Sequence, residues 1–240
     1  MRAITIWEII VPFVLTSQGT TFELNTCDRD RNHWRITFPQ SANRPGIFFI
    51  YEGHCEVENK VPVRYSKDNL PDSVRLGVSY KSQLDNLRNP TGACNVTSIA
   101  MCFNFLRVPR LEKTGQFEDE LYRYAIAKGY SRHSPNDLAK IVRDYGATDN
   151  FTDWGTIDRC KKHLANGNPC VVHGYFTSFG HIIVLVGYDN EGFLVHDPYG
   201  EWFESGYDTN ASGAYLHYSY DLIERTCMPD GQFWVHYISQ

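Results

Sequence analysis

Cys94 stands where a loop of turn-forming residues, Asn89-Pro90-Thr91-Gly92-Ala93, runs into an apolar helical pattern that begins near Asn95. A thiol at a helix N-terminus faces unpaired backbone N–H groups and the positive end of the helix macrodipole, which favours thiolate over thiol. That placement makes a nucleophile. Downstream, Gly180-His181 opens a predicted strand and Asp197 closes the next, supplying a base and a group to orient it. Gln83 precedes the cysteine by 94 − 83 = 11 residues, and its side-chain amide could join the Cys94 backbone N–H as a second donor to an oxyanion. Covalent attack on a carbonyl needs these parts: a thiolate, an imidazole touching it, a partner that fixes the imidazole tautomer, and donors where negative charge develops.

The histidine and the aspartate meet only if strand register allows it. His181 and Asp197 fall on neighbouring strands joined by the turn around Asp189-Asn190-Glu191-Gly192. Side chains alternate faces, so an odd hairpin loop is required. A three-residue loop, Asp189 to Glu191, would set Asp197 opposite Ile183 and diagonal to His181, within side-chain reach. An even loop would set them on opposite faces. Two other strand histidines, His173 and His196, read as structural, since alternation turns His196 away from the face that carries Asp197. The aromatic series Tyr199, Trp202, Phe203, Tyr207, Tyr215, Tyr218 and Tyr220 reads mostly as packing around loops.

The elements that must hold these residues form two unequal parts. Residues 1–76 carry short β-type runs at Ile4 to Leu15, Thr20 to Leu24, Trp34 to Phe38, Ile47 to Tyr51 and Glu56 to Val63, separated by turn clusters. They predict a small all-β domain, with a linker from Lys67 to Ser73. Residues 77–240 change to helices followed by strands, the order of an α+β domain. Helices are predicted from about Asn95 to Arg107, Phe117 to Lys128, Ser134 to Gly146 and Thr156 to Gly167. The third has Ser134 as N-cap, Pro135 at the first helical position, Asp137 completing a capping box and Gly146 as the stop. Strands are predicted at Cys170 to Phe176, Ile182 to Tyr188, Phe193 to His196 and Phe233 to Ile238.

Composition excludes several classes. Hydrophobic residues make up 42% and charged residues 21% of the chain, ordinary values for a folded protein. A formal charge of -5, with no dense basic run, argues against nucleic acid as a partner. The alternating stretch Asp28-Arg29-Asp30-Arg31 reads as a solvated loop. Seven cysteines show no CxxC pair and no regular spacing, so neither a zinc site nor a disulfide framework fits, and an odd count leaves at least one free thiol. Ile4 to Leu15 is apolar, but Glu8 and Pro12 interrupt it and Arg2 alone precedes it, which predicts a strand pair in preference to a secretion signal. No stretch reaches the length of a transmembrane segment.

Four strings together carry a family likeness: Tyr80-Lys81-Ser82-Gln83-Leu84-Asp85-Asn86; Gly92-Ala93-Cys94-Asn95-Val96-Thr97-Ser98-Ile99-Ala100-Met101; Gly180-His181-Ile182-Ile183-Val184-Leu185-Val186-Gly187-Tyr188-Asp189; and His196-Asp197-Pro198-Tyr199-Gly200. They resemble the peptidase C-thirty-nine-like branch of the papain-like cysteine peptidases, the branch related to double-glycine leader peptidases. The likeness covers residues 77–240. It implies an α+β papain-like fold, N-terminal helices packed on an antiparallel sheet, with Cys94 as nucleophile, His181 as base, Asp197 as orienter and Gln83 in the oxyanion hole. Two positions depart from the family pattern: Asp85 to Pro90 lengthen the loop after Gln83, and Asn95 stands where a glycine commonly follows the nucleophile.

The expected function is hydrolysis of peptide bonds by a Cys-His-Asp triad, with neither metal nor organic cofactor. A fused export transporter, common among leader-peptide processors, is not recognisable here. A lytic enzyme acting on cell-wall peptides, phage-encoded or bacterial, suits the architecture better, with residues 1–76 recognising wall or docking to a protein. The expected product is soluble, cytoplasmic or virion-associated, with secretion as the alternative location. The rivals are a non-catalytic binding or structural protein that keeps the papain-like shell, and an acyl transferase using the same triad.

Overall fold

The computed structural model describes residues 70–240 and, as backbone alone, four strands that precede them. The chain divides into two units, residues 1–63 and 64–240, each taken here by itself. In the first, β1 (Thr26–Asp30), β2 (His33–Thr37), β3 (Ile47–Tyr51) and β4 (His54–Glu56) form an antiparallel sheet in sequence order. Asp28 and Arg29, expected in a loop, pair with Arg35 and Trp34 on β2. Strand geometry turns successive side chains to opposite faces, so alternating charge is compatible with it. The expected strand pair at residues 4–15 and the question of a signal lie outside the described residues.

The second unit is a mixed structure of helices packed on an antiparallel sheet. Its elements are β5 (Val74–Arg75), α1 (Cys94–Leu106), α2 (Phe117–Lys128), α3 (Pro135–Asp144), β6 (Thr148–Thr152), α4 (Ile157–Ala165), β7 (Cys170–Gly174), β8 (His181–Tyr188), β9 (Gly192–His196), β10 (Glu201–Phe203), β11 (Gly206–Asp208), β12 (Leu216–Ser219), α5 (Tyr220–Cys227) and β13 (Val235–Ser239). The large sheet runs β12-β9-β8-β7-β13-β6, with β5 pairing the far end of β8. Strands β10 and β11 make a separate hairpin. Every residue of β8 is buried, as expected of a central strand written His-Ile-Ile-Val-Leu-Val-Gly-Tyr.

Helix α1 packs on β8 with one side and on α2 and α3 with the other. Its first turns are therefore buried all round, Asn95 through Phe103 without a break. Sequence periodicity predicts one buried face, Val96, Ile99, Ala100, Phe103 and Leu106. Its N-terminus has no side-chain cap and no acidic residue in the first turn. A missing cap costs about 1 kcal/mol, whereas each large apolar side chain fully buried contributes roughly 1.5–3 kcal/mol. Burial of Val96, Ile99, Met101 and Phe103 outweighs the missing cap; the Val96 N–H donates to Asn95 Oδ1 at 2.8 Å, and the Cys94 N–H is left for another use.

The predicted third and fourth helices begin where their caps require. Ser134 Oγ accepts from the Asp137 N–H at 3.3 Å, and Thr156 Oγ1 accepts from the Arg159 N–H at 3.1 Å. Asp137 does not complete the capping box; its carboxylate accepts from the Ser131 N–H instead. Five strands and one helix went unpredicted: β5, β6, β10, β11, β12 and α5. They are short, and β6 (Thr-Asp-Asn-Phe-Thr) is polar enough to read as a loop.

Candidate active site

The β8–β9 hairpin decides whether His181 can meet Asp197. Tyr188 pairs with Phe193, so the loop holds four residues, Asp189–Gly192, and is even where an odd one was expected. The ladder then shifts between Leu185 and Gly187, leaving Val186 as a bulge, and continues as Leu185↔Val195 and Val184↔His196. One further step sets Asp197 across from Ile183, diagonal to His181 and on its face. Without the bulge the same loop would set Asp197 against Val184 and away from His181. The Val186 carbonyl accepts from the Leu76 N–H at 2.8 Å, just past β5, and a Cβ on Gly187 would lie 2.2 Å from the Val74 carbonyl oxygen. Close docking of β5 thus accompanies the bulge and requires glycine beside it.

His181 Nε2 lies 2.7 Å from Asp197 Oδ1, with both residues buried. Asp197 takes Nε2, which leaves Nδ1 as the nitrogen open to Cys94, whose side chain acts on the same imidazole. Burial pushes the His181 pKa down, but the charge and hydrogen bond of Asp197, then the Cys94 side chain, outweigh it and hold the pKa at about 10.

Asp197 is fully buried and receives four donors. Oδ1 also accepts from the Tyr199 N–H at 3.0 Å, and Oδ2 accepts from the Tyr207 and Tyr218 hydroxyls at 2.9 and 3.2 Å. These bonds replace the water a buried carboxylate loses. Burial and then the Asp197 charge push both phenols far up, so each remains a donor. The Asp197 backbone is clamped as well: its N–H donates to the Gly213 carbonyl at 2.8 Å, and a Cβ on Gly213 would lie 1.8 Å from the Asp197 carbonyl oxygen.

Tyr207 and Tyr218 are functional candidates that the sequence had left among packing aromatics. No local signal marks them, because the contact depends on the β10–β11 hairpin and β12 reaching the end of β9. His196 behaves as expected of a structural residue: Nε2 donates to the Val78 carbonyl and Nδ1 accepts from the Tyr215 N–H.

Cys94 opens α1, after a 3-10 turn at Pro90–Gly92, and is partly exposed. All five cysteines among residues 70–240 are free, and Cys102, Cys160, Cys170 and Cys227 are buried. Burial pushes the thiol pKa of Cys227 up to about 12 and that of Cys102 still further. Cys94 and His181 line a cleft of about 420 Å³, with Asn95 and Arg132 near the helix start and Tyr175, Phe179 and Trp234 offering exposed rings.

Gln83 is not among the residues lining that cleft. It is buried, its Nε2 donates to the Pro90 carbonyl at 2.8 Å, and its Oε1 has no partner. The loop that carries it is stapled to α2: Lys81 pairs with Glu118, and the Leu87 N–H donates to Asp119 Oδ1. Asn95, the departure from the family pattern, ties Arg132 to the site: its Nδ2 donates to the Arg132 carbonyl and its Oδ1 accepts from the guanidinium, which also reaches the Gly92 carbonyl.

A family model described as the Peptidase_C39 like family matches residues 75–228. No curated protein matches the chain. Among solved structures, a double glycine motif protease from an AMS/PCAT transporter, crystallised with the leader peptide, is 16% identical over 68% of this chain and 91% of that one, with a TM-score of 0.43. A protein from Bacillus anthracis described as a C39-like peptidase is 18% identical over 69% of this chain and 98% of that one, with a TM-score of 0.49.

Proposed function

Since the chain belongs to the Peptidase_C39 like family and is a cysteine peptidase, we propose that Cys94, His181 and Asp197 are its catalytic triad and that the substrate lies in the cleft they open onto. The observation that carries this reading is the imidazole of His181, held through Nε2 at 2.7 Å by Asp197 and lining the same cleft as Cys94. In the proposed reaction Cys94 gives its thiol proton to His181 and the sulfur attacks the peptide carbonyl, forming a C–S bond as the carbonyl oxygen becomes an oxyanion. The tetrahedral intermediate collapses with loss of the amine, which takes a proton from His181. Water, deprotonated by His181, then attacks the thioester and releases the acid and the thiol.

The oxyanion faces the Cys94 backbone N–H at the uncapped start of α1. As second donor we propose the Gln83 amide, which does not line the cleft in this structure and would reach the oxyanion by turning from the Pro90 carbonyl. Asp197 sets the tautomer of His181 and opposes the charge of the imidazolium.

The test is alkylation by iodoacetamide, read by peptide mass spectrometry for every cysteine in one sample. Cys94 should label at a pH well below the free thiol value of about 8.5, and His181→Ala should remove that low-pH labelling. Labelling of Cys94 that needs the ordinary thiol pH range and is indifferent to His181→Ala sinks the triad. For substrate we propose peptides of a cell wall, with the N-terminal β-unit as the part that recognises wall. Wall hydrolysis that survives both Cys94→Ala and deletion of residues 1–76 would discard it.

A further inference from the structure

His173 ends one residue short of the C-terminus of β7 and lines the cleft together with Cys94 and His181, yet the chemistry above makes no use of it. Its Nε2 lies 3.0 Å from His236 Nε2, and His236 Nδ1 lies 2.7 Å from Asp149 Oδ2. His236 and Asp149 are buried. A carboxylate only accepts, so the His236 Nδ1 proton points at Asp149; in the tautomer that carries this proton alone, His236 Nε2 is bare, His173 donates to it from Nε2, and His173 Nδ1 is left as an acceptor. Phe151 packs on both imidazoles, and Trp234 packs on His173 at 5.9 Å between centroids. Burial pushes the His173 pKa down to about 3, which keeps the His173 ring neutral.

The neighbouring part of the cleft is formed by Asp230, Gln232 and Trp234. Asp230 Oδ1 accepts from the Gln232 N–H, and Gln232 Oε1 accepts from the Trp234 indole, which fixes the three relative to one another. This region combines a neutral acceptor, a carboxylate and aromatic faces. Arg132, a cation of the cleft, is held at the start of α1 by Gly92 and Asn95. An ammonium or guanidinium group carries donors only, is drawn to a carboxylate and is attracted by an indole face. A hydroxyl or amide would satisfy the nitrogen but not the charge.

We propose that His173, held as an acceptor by His236 and Asp149, forms with Asp230 and Trp234 a subsite for a lysine or arginine side chain of the substrate, close to the bond that Cys94 attacks. This rests on the peptidase reading. His173 and Asp230 are specificity-determining residues, whereas His236 and Asp149 are positioning residues that act through the tautomer of His173.

The experiment is digestion of a proteome-derived peptide mixture, prepared by cleavage after acidic residues, with flanking residues read by mass spectrometry. The wild-type full chain should enrich lysine or arginine at one position beside the cleaved bond. The preference for a lysine peptide over its norleucine counterpart, as a ratio of kcat/KM, should fall about tenfold in Asp230→Asn and in His173→Phe. His236→Gln should raise KM for the lysine peptide more than it lowers kcat. Asp230 is exposed, so its variant tests the subsite even where a β7 variant fails to fold. Absence of basic enrichment in the wild type, or its survival in Asp230→Asn, overturns the proposal.

A second measurement needs no turnover: protection of Cys94 from iodoacetamide by Nα-acetyl-lysinamide against Nα-acetyl-norleucinamide. Lysine-selective protection that Asp230→Asn removes supports the subsite. Equal or absent protection overturns it. Selective protection without any cleavage would leave the subsite standing and remove the peptidase reading.

Discussion

Asp197 is the residue on which the site's electrostatics turn, because one buried carboxylate receives His181, a backbone N–H and two tyrosine hydroxyls. Asp197→Asn keeps the shape but removes the charge that outweighs burial at His181. The expected result is a fall in kcat of roughly 10^2–10^4, with the His181 pKa lowered when read by NMR. An unchanged imidazole titration would show that Asp197 does not govern it. Gln83 makes the contrasting case. Gln83→Ala should lower kcat by about 10^2–10^3 if the amide donates to the oxyanion, with KM little altered; a change in KM alone would reduce Gln83 to a loop anchor for Pro90. Cys94, His181, Asp197 and Gln83 were all legible as candidates from residue type and flanking pattern. Tyr207 and Tyr218 were not, since nothing in Gly-Tyr-Asp or Leu-His-Tyr-Ser distinguishes a tyrosine that reaches a carboxylate from one that packs.

At the scale of elements, the hairpin shows how a parity argument can reach the right register with the wrong loop. The four-residue loop and the Val186 bulge each shift the ladder, and the two shifts cancel in front of the site. Bulges arise from backbone demands on a neighbouring strand, here β5, and periodicity along one strand does not report them. The clamp on Asp197 is as tight as the docking at Gly187. Gly213→Ala forces a methyl group against the Asp197 carbonyl oxygen, a strain of about 1–3 kcal/mol for an overpacked position. Its melting temperature should fall by about 2–4 °C for each kcal/mol lost, and kcat should fall with it because Asp197 is displaced. A variant as stable and active as wild type would show that the 212–214 turn can move without disturbing Asp197.

For the whole molecule, two histidines bound the pH range of stability from opposite sides. His181 has a folded pKa raised to about 10, above its unfolded value of about 6.5. Its contribution is complete below about pH 6.5 and is lost as pH rises through about 10. His173 is depressed to about 3, so its contribution is complete above about pH 6.5 and is lost as pH falls toward 3. Thermal unfolding followed across pH should therefore show highest stability near neutrality. His181→Ala should flatten the alkaline limb and His173→Phe the acid limb; limbs that stay unchanged would mean that neither pair controls the fold's proton balance. No helix among the described residues is long and apolar enough to cross a membrane.

The order of helices and strands in residues 77–240, the main helix starts and the choice of Cys94, His181 and Asp197 as candidates came from local signals: caps, periodicity and a thiol ahead of an apolar helix. Those signals act within a few residues of one another, and sequence displays them directly. Tertiary structure decided that an even loop could still bring Asp197 to His181, that two distant tyrosines complete its hydration, and that His173 belongs to the cleft through His236 and Asp149. Each of these joins elements far apart in the chain, β7 with β13 and β6, or β9 with β11 and β12. Partners of that kind are chosen by how elements pack, a property no stretch of sequence carries alone.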